Sequence, residues 1–181
     1  PLDVEALAPA GDGEVWVGDI GDNAGERPSV TVLRVPFGPG DRTVTPPAYT
    51  LVYPDGAHDA ETLLAAPDGR LYVVTKDLLR GVVYAAPRQL SVTEPNRLRR
   101  VATALAFATD GSFFPDGRHV VLRGYGDAAT YAWPGFREVA TFRLPPQPQG
   151  EAVAVDQDGW THVSSEGEHT AVLRVVSVSV W

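Results

Sequence analysis

The sequence predicts an all-β fold, a β-propeller with four visible blade repeats, and three observations carry the prediction. First, a carboxylate stands six or seven residues ahead of an Asp-Gly pair four times: Glu5 before Asp12-Gly13, Glu61 before Asp68-Gly69, Asp110 before Asp116-Gly117, and Glu151 before Asp158-Gly159. Second, the turn aspartates lie 56, 48 and 42 residues apart. A period of about 40 to 55 residues, built from short strands and tight turns, is that of propeller blades. Third, no long stretch has helical periodicity, and 16 prolines argue against helices.

Each unit then resolves into strands. First strands read 3–8, 60–65, 111–114 and 151–155, and each ends at its Asp-Gly turn, where glycine supplies the positive φ a hairpin needs. Second strands follow at 14–18, 70–75, 119–123 and 160–164, and third strands at 29–35, 81–85, 130–133 and 170–176. Fourth strands fit 49–53, 99–103 and 138–144. All are short, rich in Val, Leu, Tyr and Trp, and bounded by Gly, Asp and Pro.

The 181 residues, 44% of them hydrophobic, suffice for one domain with a real core. The expectation is a single propeller domain over 1–181, with blades at about 3–55, 58–106, 107–147 and 149–181. The stretch 171–181 is too long for one inner strand and shows no clear turn, and the chain opens directly on a first strand. Ring closure by strands from both termini is therefore not legible. Two readings stand, a four-bladed ring or part of a five- or six-bladed one, and the second is favoured.

Composition narrows the function. A net charge of −8 argues against nucleic acid, whose phosphates demand a basic surface. No apolar run approaches the roughly 18 residues of a membrane span. With no cysteine, thiolate chemistry and disulfides are excluded. No Gly-x-Ser-x-Gly elbow, phosphate-binding glycine loop or EF-hand spacing occurs.

Strand alternation sorts the loops. The Asp-Gly turns share one face, and the loops after second and fourth strands share the other, which collects the unusual sequence. There Glu5, Glu61, Asp110 and Glu151 begin the innermost strands and should point at the axis. Converging carboxylates repel unless protonated or bridged by a cation. Calcium is the expected cofactor, because it takes oxygen ligands in loose geometry. Asp19 and Asp22, in the polar loop 18–28, extend the candidate metal set. The other reading keeps the carboxylates structural, as turn caps and partners of backbone amides. In blade three the alignment is ambiguous, since a match on Asp3, Asp59 and Asp110 moves the ring position to Ser112. Arg27, Lys76, Arg80 and Arg123 lie on the same face as candidate anion ligands. His58, beside Asp59, is the candidate acid–base residue.

The segments 61–77 and 150–159 resemble blade motifs of bacterial phytase-like propellers, in which a glutamate opens the inner strand. The whole chain is similar to secreted actinobacterial propeller proteins of the WD-repeat-like, phytase esterase-like group. The shared features are the Asp-rich segment 17–23, Asp59-Ala60-Glu61 and Gln149-Gly150-Glu151. The resemblance implies an extracellular protein whose signal peptide is not in this chain, and a blade ahead of the first one here. The expected function is a binding scaffold that takes a small-molecule or protein ligand at an acidic, calcium-binding axial face. The alternative is a calcium-dependent phosphoesterase or esterase.

Overall fold

The computed structural model describes residues 1–167 and 172–175, and every regular element among them is a strand. None is therefore a helix long and apolar enough to cross a membrane. Blade one is built from β1 (Val4–Gly11), β2 (Glu14–Asp19), β3 (Val30–Pro36) and β4 (Ala48–Val52). Blade two contains β5 (Ala60–Ala65), β6 (Leu71–Thr75) and β7 (Val82–Ala85), completed after the short β8 (Asn96–Arg97) by β9 (Arg99–Thr103). Blade three is β10 (Asp110–Phe113), β11 (His119–Arg123), β12 (Asp127–Ala132) and β13 (Arg137–Arg143). Blade four is described over β14 (Gly150–Val155), β15 (Thr161–Ser165) and β16 (Val172–Val175). The ends of the predicted third strand 170–176, the loop residue His169 and the tail to Trp181 lie outside the described residues.

Within each blade consecutive strands pair antiparallel. The inner strands β1, β5, β10 and β14 pack side by side in that order, giving a four-bladed propeller arrangement. The Asp-Gly glycines take the left-handed conformation the turns require, with φ of 75° at Gly13, 79° at Gly69, 63° at Gly117 and 82° at Gly159.

Three apolar cores lie between successive blades, because strand side chains alternate between two sides. On blade two, Leu63 and Val73 join the core shared with blade one, while Leu64 and Val74 join the core shared with blade three. Covered on both faces, β6 is buried at every position. Each such Leu or Val contributes about 1.5–3 kcal/mol. The third core joins Val121 and Ala128 of blade three to Val153 and Val163 of blade four.

β8 is the one element the sequence did not announce. It pairs parallel with β4, carrying the loop after β7 onto the outer edge of blade one. Asn96 holds it there. Its buried side-chain amide donates to the Thr50 and Ser91 carbonyls at 3.0 and 2.9 Å, and its Oδ1 accepts from the Ser91 amide at 2.8 Å.

Candidate functional site

The ring glutamates owe their position to a backbone irregularity. The pairing of β1 with β2 shifts between Val4 and Ala6, that of β5 with β6 between Ala60 and Thr62, and that of β14 with β15 between Gly150 and Ala152. The residue set outside the ladder is in each case the glutamate: Glu5, Glu61 and Glu151. A bulge re-aims its extra side chain, here in blades one, two and four. In blade three β10 pairs with β11 without a shift from Asp110 onward, and this inner strand has 4 residues against 6 in blades two and four. The odd offset in the sequence marks this unbulged strand.

These carboxylates sense one another. Partial desolvation pushes the Glu5 carboxyl up to about 7, and the charges of Glu61, Asp3 and Asp59 add to it. Burial likewise raises Glu61, with Glu151 and Asp59 adding and the Lys76 ammonium pulling the other way. Burial pushes Asp110 up to about 7, against the amides of Val153 and Gly111 and the charge of Arg123. Glu5, Asp110 and Glu151, with Thr109, Ser164, Ser165 and Glu166, line a cavity of about 500 Å³ that contains no basic side chain.

Each carboxylate has its own local partners. Glu61, 6% exposed, receives Lys76 Nζ on Oε1, while its buried Oε2 has no hydrogen-bond partner. Lys76 also lies 5.4 Å from the Tyr125 ring centroid. Asp110 Oδ2 accepts the Val153 amide at 2.7 Å and Ser112 Oγ the Val155 amide at 3.2 Å, so both contenders for the blade-three position clasp β14 to β10. Glu151 Oε1 accepts from the Gln149 side chain, Nε2, at 3.0 Å. Among the described residues, no three acidic or histidine side chains already stand around one point at metal-ligand distance.

The remaining candidates do other work. Asp19 accepts the amides of Leu2 and Asp3 and pairs with Arg27 at 3.1 Å, which outweighs burial and holds its carboxyl below the usual range. Asp22 accepts the amides of Glu26 and Arg27 at 3.0 and 2.8 Å, closing its own loop. Arg27 donates back to the Gly21 and Asp19 carbonyls. A Cβ at Gly21 would lie 2.4 Å from Asp3 Oδ2 and would push the Asp3 side chain aside. Arg123 is fully buried and donates to the Gly124, Tyr125, Ala152 and Ser164 carbonyls and to Gln147 Oε1. Arg80 borders a separate cavity with Tyr131 and Glu138. His58 Nε2 lies 3.1 Å from Asp55 Oδ1 and 3.0 Å from Tyr84 Oη, away from the axial cavity lining. Tyr84 Oη also donates to Asp55. Asp55 and Tyr84 escaped the sequence reading because they stand 29 residues apart and meet only across two blades. Thr109, Ser165 and Glu166 lie on loops that the sequence assigns to this face, although none is legible there as a site residue.

The raised carboxyls set a pH dependence. Glu5 and Asp110 hold protons in the folded state that the unfolded chain releases near pH 4 to 4.5. Their contribution is therefore fully present below that range and is lost as pH rises through about 7. The melting temperature measured in chelator should fall between pH 5 and pH 8, and Glu5→Gln should flatten the fall by a few degrees (~2–4 °C per kcal/mol at this size). A melting temperature that rises over this interval, or an unaltered profile in Glu5→Gln, contradicts the assignment.

No family model matches the chain, and no characterised protein matches it in sequence. Its fold does match solved structures. A gluconolactonase from Xanthomonas campestris is 17% identical with a TM-score of 0.57, covering 93% of this chain and 58% of its own. A glucose dehydrogenase is 15% identical with a TM-score of 0.57, covering 95% and 60%. The Dos1 propeller is 14% identical with a TM-score of 0.50, covering 93% and 44%. The chain thus spans about half the length of these structures, and the likeness places it among the β-propellers.

Proposed function

We propose that the protein is an extracellular propeller scaffold that binds a small-molecule or protein ligand at its acidic axial mouth, with calcium held by the ring carboxylates. The observation that carries this reading is the buried, unpartnered Oε2 of Glu61, set within electrostatic reach of Glu5 and Glu151. A buried acceptor without a donor is costly, and a cation is the partner an anionic neighbourhood favours. The donor set fits calcium: carboxylate and hydroxyl oxygens line the cavity, with no thiol or imidazole among them. Glu5, Glu61, Asp110 and Glu151 would hold the ion, and because they are not gathered around one point, binding must draw them together. Asp19 and Asp22 serve the scaffold by closing the loop 18–28. The extracellular setting rests on the resemblance to secreted propellers.

The test is calorimetric. Calcium should raise the melting temperature of chelator-treated protein, by about 2.7 kcal/mol of added stability at a hundredfold excess over Kd, and Glu61→Gln should blunt the rise. An identical melt with and without calcium, in protein verified metal-free, ends the shared-cation reading.

A second reading, a calcium-dependent ester hydrolase, draws on one further feature. Glu5, on the cavity wall with its carboxyl near 7, is suited to move a proton at neutral pH. In this reading Glu5 takes the acid–base role in preference to His58. The gluconolactonase among the matched structures is named for ester-type chemistry and supports testing lactones beside phosphate esters. Turnover that requires calcium and disappears in Glu5→Gln but survives His58→Ala would select this reading over the scaffold.

A further inference from the structure

The loop between blades one and two meets β7 in a cluster that the axial site does not use. His58 Nε2 lies 3.1 Å from Asp55 Oδ1 and 3.0 Å from Tyr84 Oη, and Tyr84 Oη lies 2.9 Å from the same Oδ1. The three atoms form a nearly equilateral triangle. Aromatic packing holds it in place. Tyr84 is fully buried, and the Tyr53 ring meets the His58 and Tyr84 rings edge-on, with centroids 5.1 and 5.0 Å away. The His58 and Asp55 side chains are 22% and 42% exposed, so the cluster borders solvent on their side. Hydrogen bonding alone does not saturate the triangle. The phenol proton goes to Asp55, whose two oxygens Tyr84 Oη reaches at 2.9 and 2.8 Å, and the proton on Nε2 goes to the same carboxylate. Two protons thus serve three contacts, and the approach of Nε2 to Oη has none of its own.

We propose that Asp55, His58 and Tyr84 form a site for a divalent transition-metal ion, held on one triangular face of its coordination shell. The spacing supports this filling. Donor atoms about 2.1 Å from an octahedral ion stand about 3.0 Å apart along each edge, and these three lie at that separation already. The donor chemistry selects the class of ion. An imidazole nitrogen among the ligands favours a transition metal over calcium and magnesium, which take oxygen. On binding, the bond from Tyr84 Oη to the metal forms as the phenol proton leaves to solvent, and the imidazole carries its one proton on Nδ1. Carboxylate and phenolate then balance the charge of the ion. The site shares no residue with the ring carboxylates and is independent of the calcium reading.

The test is a Zn²⁺ titration of the chelator-treated full chain in excess calcium, which keeps the axial carboxylates out of the measurement. Calorimetry should show one site, and the ultraviolet difference band of an ionised phenol should grow until that site is full. Tyr84→Phe keeps the buried ring, so it should remove the band and weaken Zn²⁺ binding at least about tenfold. His58→Ala, at a partly exposed side chain, should weaken binding at least as much, and metal-free melts verify that both variants fold. The double variant His119→Ala, His162→Ala should bind as wild type does, because those imidazoles pair with Asp116 and Asp156 elsewhere. No heat from Zn²⁺ beyond dilution overturns the proposal. Zinc that binds without the phenolate band also overturns it, as does binding that is unaltered in Tyr84→Phe or in His58→Ala.

Discussion

Arg123→Leu should lower stability by about 3–5 kcal/mol, a drop of roughly 6–20 °C in melting temperature at this chain length. The guanidinium is fully buried and its donors reach carbonyls on both sides of the seam between blades three and four: Gly124, Tyr125, Ala152 and Ser164. Each acceptor left without a donor costs about 1–3 kcal/mol, and the emptied volume adds a cavity term. Arg123→Lys should not rescue, because one ammonium cannot span acceptors that a planar five-donor fork reaches together. Gly150→Ala should reproduce much of the defect from the other side. Its Cβ would fall 1.8 Å from Arg123 Nη2, and neither the strand nor the buried guanidinium can give way easily. Thermal melts of the three variants check this, and Arg123→Leu melting within about 2 °C of wild type would refute the seam role.

Lys76→Met comes next in expected effect. Lys76 ion-pairs with Glu61, a side chain only 6% exposed. Removing one partner of a buried pair costs about 3–5 kcal/mol, because the other charge stays buried without compensation. The pH dependence follows from the directions of shift. Burial already raises the Glu61 carboxyl, and without Lys76 it rises further. The variant should therefore be close to normal at acid pH, where Glu61 is protonated, and lose stability as pH rises through the raised value. Adding Glu61→Gln in the same chain should return most of the loss. If the ring carboxylates hold calcium as proposed, the ion should stabilise Lys76→Met more than wild type, because it would compete with the ammonium for one carboxylate. A loss that is the same at pH 5 and pH 8 would show that Lys76 matters through packing alone, such as its contact with Tyr125.

The strand plan was legible because it is written locally. Strand alternation, Asp-Gly turns and proline act within a few residues, and 60–65, 119–123 and 99–103 emerge with the expected bounds. Elsewhere the ends move by one to three residues, most at the end of β1 and the start of β12, which begins at Asp127 because the tight turn at Gly124 and Gly126 lets pairing begin early. The equivalence of Glu5, Glu61 and Glu151 was legible too, since each stands 7 residues before its turn aspartate. That a bulge creates the offset was not, because a register shift is a property of two paired strands.

The sequence by itself determined an all-β propeller of four repeats, an acidic axial face and the absence of thiol chemistry. Tertiary structure alone decided which charges act there. Lys76 and Arg123 are both basic residues at the end of a second strand, yet one ion-pairs with a ring carboxylate while the other is consumed by carbonyls in a seam. The same holds for Asp19 and Asp22, whose oxygens are taken by amides of their own and neighbouring loops, and for the meeting of Asp55, His58 and Tyr84. The physical reason is common to all of them. Backbone propensity and turn chemistry are short-ranged, whereas desolvation, ion pairing and hydrogen-bond satisfaction depend on which blades come to lie side by side.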